Sequence, residues 1–397
     1  MKPYFPLISI LSFTLSADSL FNASIIWCVL LAGGRAKDLA FFLCVVTLLT
    51  FCVKKMSVRL KKVLENAPQK SFIIIRIIGI ILSGLFLPIS MYTNALWFLY
   101  LIGMVFTMLG FLSQLTSETI IGQIVLDGHL SANKGSRMIQ MAQQIAAFIG
   151  PTILGVTLSL GGMSAVLFFM MIIYSAGTFI KPVIQNTFLN QPLQNRLNTH
   201  KETRKSTLKN KINLWPYFFS LCFLTVQIAA FNFLLPLISQ HEKMWTANQF
   251  GLIDAMAGVG AFICTLISAE SGWKKHLWLI TFFIIPLVDF SFYSLDNPYY
   301  LSALTIFLGF FLNIYLIKIR EIIYKFASSV QDFMDWIGRI SVMSVLIRSG
   351  APIVLTSIAI KPSLLFFLVG LVVGICILFI TNIQKKPNFI ATYLTKE

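Results

Sequence analysis

The chain has 397 residues, of which 57% are hydrophobic and only 12% charged, and it carries a formal charge of +16. A soluble domain carries roughly 25% charged residues, so this composition suits a bilayer as solvent and excludes an ordinary soluble enzyme. The basic excess does not point to nucleic acid, because it sits in short loops between apolar runs, where it sets membrane orientation.

Met1-Lys2-Pro3 leads straight into an apolar run without a small-residue cleavage site, so no cleaved leader is expected. Twelve spans follow, predicted at 7–31, 36–53, 71–90, 95–117, 138–159, 163–180, 214–239, 248–269, 277–294, 299–317, 340–360 and 363–382. Each is long enough for a helix crossing about 30 Å of hydrocarbon. None shows the period-two alternation of a closed β-barrel, so the expected class is an all-α polytopic membrane protein. The six cysteines lie in or beside apolar runs and form neither a disulfide framework nor a metal-ligand spacing.

With the N-terminus inside, 25 of the 31 Lys and Arg fall on the cytoplasmic side. Arg35, Lys37, Lys243 and Lys361 fall outside, and Arg76 and Arg348 lie within spans. That excess places both termini in the cytoplasm. The longest basic loop, 181–213, is polar and lacks apolar periodicity, so it reads as a flexible cytoplasmic linker. It divides the chain into six-span halves, 1–180 and 214–397.

The halves look related. Arg137 precedes Pro151 by fourteen residues and Arg339 precedes Pro352 by thirteen, each pair leading into the fifth span of its half. The two matching stretches are "SRMIQMAQQIAAFIGP" and "GRISVMSVLIRSGAP". A duplicated six-span unit is a common transporter architecture.

Three segments resemble the major facilitator superfamily, and within it the bacterial efflux branch of macrolide, siderophore and peptide-antibiotic exporters. They are "LSADSLFNASIIWCVLLAGGRAKDL" (15–39), "ANKGSRMIQMAQQIAAFIGPTILG" (132–155) and "DWIGRISVMSVLIRSGAP" (335–352), with Gly350 before the second-half proline. The resemblance implies two pseudo-symmetric six-helix bundles around a central cavity lined by spans one and four. It also implies a fifth span that packs on the other half and bends as the halves rock. In the loop between spans two and three, Arg59, Lys61 and Lys62 match the family's gating cluster, but Val58 stands where an Asp is usual. Val156 replaces the second Gly of the antiporter motif, after Gly155.

On the fifth span, Arg137, Gln140 and Gln144 recur at helical spacing, and Ala147 and Pro151 continue their face. That face is polar, then small, and Gly150-Pro151 permits a bend. A packing kink with Arg137 as a loop anchor is the other reading. Ionisable groups within spans are costly enough to be site candidates. Asp18, with Asn22 one turn on, is the first: it either exchanges a proton or pairs with a cationic cargo, or it fixes helix packing. Glu118 and Gln114 lie one turn apart in span four, at the cavity or at a cytoplasmic gate. Asp254 and Asp289 occupy the outer parts of spans eight and nine, where interfacial water is within reach. Arg348 cannot discharge and needs an acid, water or an anion. Arg76 is expected to snorkel to headgroups. Gln227, Asn232 and Asn313 suit either cargo binding or interhelical hydrogen bonds.

No phosphate loop, H-E-x-x-H or G-x-S-x-G elbow occurs. No enzymatic activity, cofactor or metal is therefore expected. The expected protein is a monomeric secondary transporter of the bacterial inner membrane. Its partners are the lipid bilayer, a small organic or peptide-like cargo and a proton, not nucleic acid. Export of an antibiotic, siderophore or peptide-like product, self-immunity included, is the leading function. Import of a metabolite or siderophore, and a non-transporting scaffold on a degenerate fold, are the alternatives.

Overall fold

The computed structural model describes residues 4–56, 67–93, 95–126, 130, 132–188, 215–267, 277–326 and 330–384, and no strand occurs among them. The helices are α1 (Phe5–Leu31), α2 (Ala36–Met56), α3 (Pro68–Tyr92), α4 (Leu96–Leu126), α5 (Ala132–Gly177), α6 (Ile180–Phe188), α7 (Trp215–Leu237), α8 (Ala247–Ile267), α9 (Leu277–Ser294), α10 (Pro298–Phe326), α11 (Val330–Ser357) and α12 (Pro362–Gln384).

Helix α5 holds two of the twelve crossings. It folds back at Gly161-Gly162, where Gly162 takes φ +60° and ψ −140°, a conformation glycine adopts without Cβ strain. The arm before the break is the predicted fifth span and the arm after it the sixth. The start of the expected linker, 181–188, is helical and belongs to α6. Each half thus contributes six crossings, and the chain returns to one face of the molecule, here the termini face, after each half.

Helices α4, α5, α10 and α11 reach further toward the termini face than their predicted spans. The added turns carry Lys134, Lys318, Arg320, Lys325 and Asp335. Hydropathy ends a span where charge begins, but the helical backbone continues beyond it.

Two seams join the halves: the first arm of α5 lies along α8, and α2 lies along α11. The α5–α8 seam is built from small residues. A Cβ on Gly258 would stand 2.9 Å from Phe148 N, and Gly251 lies directly against the Pro151 carbonyl. Without lipid-excluded hydrophobic surface to drive association, helices in bilayers gain from such close backbone approach.

The halves are joined unequally at the two faces. One apolar core spans both halves, from Trp27, Leu30, Leu237, Phe250 and Leu365 on the side opposite the termini to Ile75, Leu221 and Ile377 deeper toward the termini face. Toward the termini face two smaller clusters lie beside it. One, including Leu7, Ile121 and Met138, is drawn from the first half, with Phe262 of the second packed against it, and the Gln140–Asn313 hydrogen bond crosses between the halves at the same depth. Another, of Cys264, Phe311 and Ile314, belongs to the second half.

Candidate functional site

Asp18 does not face the second half through any of its recorded contacts. Its carboxylate is buried and held by the Arg76 guanidinium of α3, with Nη1 and Nη2 at 3.2 and 3.3 Å from Oδ2. The Tyr174 hydroxyl, on the second arm of α5, donates to Oδ1 at 2.8 Å. Arg76 is 1% exposed and lies between the Phe72 and Tyr174 rings, its Cζ 4.8 and 4.9 Å from their centroids. The headgroup position expected for Arg76 is thereby corrected. An acidic partner within reach outcompetes a climb to the interface, because a buried pair offsets part of the cost of both charges. Glycines admit the knot: a Cβ on Gly79 would sit 2.8 Å from the Tyr174 ring, and one on Gly177 2.9 Å from Arg76 Cγ.

The second half has a buried polar pair of its own. Gln227 of α7 donates from Nε2 to Asp289 Oδ2 of α9 at 2.6 Å, and both residues are 0% exposed. Asp289 does not reach the interface: α9 turns this fully buried side chain inward onto α7 and α12, where Gly370 makes room for it.

Other candidates are exposed: Asn22 of α1, Gln114 and Glu118 of α4 near the inner end of predicted span four, Asn232 of α7 and Arg348 of α11. Glu118 Oε1 accepts from Gln114 Nε2 at 3.2 Å and Gln143 Nε2 at 3.4 Å, linking α4 to α5. Pro236 lacks the N–H that would bond the Asn232 carbonyl, and α7 continues as a π-helical turn, Ile238–Glu242. Asp254 is half-buried and lies between Gly251 and Gly258 on the α8 stripe that meets α5.

Gln140 and Asn313 come together. Gln140 Nε2 donates to Asn313 Oδ1 at 2.9 Å, and Asn313 Nδ2 donates to the Ala261 carbonyl at 2.7 Å. The Asn313 amide thereby ties α5, α8 and α10 together and has both ends engaged. Gly150 packs on α1, where a Cβ would stand 2.6 Å from Leu20 N; at Gly155 a Cβ would overlap Asn248. Pro352 is buried in α11, whereas a Cβ on Gly350 would meet nothing within 4 Å. Arg137 and Gln144 are half-buried in α5. Arg339 belongs to α11 by its backbone, and Arg59 lies outside the described residues.

Sequence reasoning missed the contacts that close the face opposite the termini. Gln240, in the π-helical turn, donates to the Trp27 carbonyl at 3.1 Å, and the Trp27 and Phe250 rings stack with centroids 5.0 Å apart. Both contacts join α1 of the first half to the start of the second. On the same face the Lys243–Asp296 ion pair and the Glu242–Ser363 hydrogen bonds fasten the turn to its own half. Pro236, a helix breaker near the end of a span, is the sequence feature from which this region could have been found. Among the described residues no group of three or more His, Cys, Asp or Glu gathers as a metal site. A shallow, mostly apolar hollow of about 320 Å³ lies at the α2–α11 rim, lined by Lys37, Phe41, Ile353 and Thr356 but by none of the candidates themselves.

Neither a protein-family model nor a curated protein matches the sequence. Solved structures do. A bacterial homologue of the iron transporter ferroportin in its inward-facing state superposes with a TM-score of 0.63 at 12% identity, over 96% of this chain and 98% of that one. A bacterial metal transporter gives 0.59 at 12%, over 96% and 99%. The human organic anion transporter MFSD10 (TETRAN) gives 0.59 at 10%, over 94% and 99%. The chain has the major facilitator fold: an all-α polytopic membrane protein of twelve crossings in two pseudo-symmetric six-helix bundles.

Proposed function

We propose that the chain is a secondary active transporter that moves a small or medium organic molecule by alternating access. The observation that supports this reading is how the halves meet: Trp27, Gln240 and Phe250 fasten them at one face, while toward the other the smaller clusters each draw their buried residues from one half and are bridged by Phe262 and the Gln140–Asn313 hydrogen bond. A protein so built has a second state within reach, in which the termini face closes and Gln240 leaves Trp27. A cargo drives the exchange only through different affinity for the two states.

With the basic loops in the cytoplasm, the membrane is the bacterial inner membrane, both termini are cytoplasmic and the conformation is inward-open. The moving bodies are 1–180 and 214–397, connected by the linker 181–213, and the unit is a monomer. The exposed Asn22, Gln114, Glu118, Asn232 and Arg348 supply amides, one acid and one base. Such a set recognises an organic molecule by oriented hydrogen bonds. Export of an antibiotic, siderophore or peptide-like product, self-immunity included, coupled to proton entry, is the form favoured by the segments 15–39 and 132–155. Import is the second reading, since inward-open geometry serves either direction.

The test is flux. Purified protein in proteoliposomes with an imposed pH gradient is expected to move at least one compound from a panel of macrolides, siderophores and small peptides. Cells expressing the chain are expected to tolerate that compound better than cells lacking it. Absence of flux across the panel, together with tight binding to a membrane protein partner, would establish the scaffold instead.

A further inference from the structure

The two buried polar knots occupy equivalent crossings. Asp18, Arg76 and Tyr174 lie on the first, third and sixth crossings of the first half; Gln227, Asp289 and Gly370 lie on the first, third and sixth of the second. Their charge balance differs. In the first knot a guanidinium faces the carboxylate and both carboxylate oxygens are bonded. In the second, Asp289 is the sole Asp, Glu, Lys, Arg or His of α7, α9 and α12 taken together. The other titratable residues of these three helices are Tyr217 and Cys222 of α7, Cys376 of α12 and the exposed Tyr293, one turn further along α9. Helix α10, packed on the other side of α9, begins with exposed Tyr299 and Tyr300 and carries Lys318, Arg320, Glu321 and Lys325 near its far end. At 1.5 Å per residue those four stand about 20 Å or more from the depth of Asp289.

Two atoms of this pair are buried without a hydrogen-bond partner: Asp289 Oδ1 and Gln227 Oε1. Both are acceptors, on the two groups already joined through Nε2 and Oδ2. A single hydrogen on Oδ1 turns one acceptor into a donor and gives the other its partner. An ionised carboxylate among apolar helices without a countercharge costs far more than a neutral acid there.

We propose that Asp289 is a proton-binding site: it carries a proton on Oδ1, donated to Gln227 Oε1, so that acid and amide close a ring of two hydrogen bonds. The site is independent of the cargo and of the transport reading. Asp289 is also a group whose charge can change without stranding a buried guanidinium, which Asp18 is not.

Infrared spectroscopy of the purified protein in lipid nanodiscs at neutral pH tests this. The expected spectrum contains a protonated-carboxyl C=O band that shifts in D₂O, disappears in Asp289→Asn and survives in Asp18→Asn. Asn at 289 preserves a neutral two-bond pair with Gln227, so that variant is expected to melt with the wild type. Gln227→Leu is expected to shift the band without removing it, and decides the matter alone if Asp289→Asn does not fold. A wild-type minus Asp289→Asn difference showing carboxylate bands and no carboxyl band would overturn the assignment, as would a spectrum unmoved by Gln227→Leu.

Discussion

Asp18 and Arg76 pair at 3.2 Å inside the first half with almost no access to water. Removing one charge strands the other, which costs about 3–5 kcal/mol for a buried pair. Asp18→Asn and Arg76→Leu are therefore each expected to lower the melting temperature in detergent sharply. The double variant is expected to recover much of that loss, because no lone charge is left. Tyr174→Phe removes one hydrogen bond to a charged group, and about 1.5–3 kcal/mol is the expected penalty. If Asp18→Asn melts with the wild type, the pair is not a structural anchor. The sequence made Asp18 conspicuous, since a charge in an apolar run is rare. It could not supply the partner, 58 positions away on another helix, and Arg76, one turn from a span end, read as an interfacial residue. Asp289 was misread for the same reason: depth along a helix is visible in one dimension, but which side faces a neighbour is not.

At the level of helices, the glycines separate into those that set a crossing and those that do not. Gly150 meets the α1 backbone and Gly155 meets Asn248. On α8 and α10, Gly260 and Gly309 press against the backbone carbonyls of Ile306 and Ala257. Valine at Gly150, Gly155 or Gly260 must push two helices apart, and loss of several degrees of thermal stability is expected at each. Valine at Gly350, which faces open space, is expected to change little. Equal effects at all four positions would contradict this packing. The small face of the fifth span was legible from spacing alone, because Gln140, Gln144, Ala147 and Pro151 recur at helical intervals. Its partner α8 carries Gly251 and Gly258 at the complementary spacing. The turn at the end of α7 was hidden, since Pro236 announces a break but not that a π-helical turn will set Gln240 against Trp27.

For the whole molecule, the all-α fold and its twelve crossings were readable because a bilayer dictates span length. The conformation was not, because two packings of one sequence differ by only a few kcal/mol and leave no mark on composition. Rocking of the halves is the claim on which the functional account stands. It is tested most directly by spin-label distances across the halves: one pair, Leu31 and Tyr299, on the closed face, and one, Lys181 and Ile267, on the termini face, all exposed in the structure. Measured in nanodiscs with a transported compound and with changing pH, the two distances are expected to exchange, one lengthening as the other shortens. A single unchanged distance at both faces under every condition would contradict it.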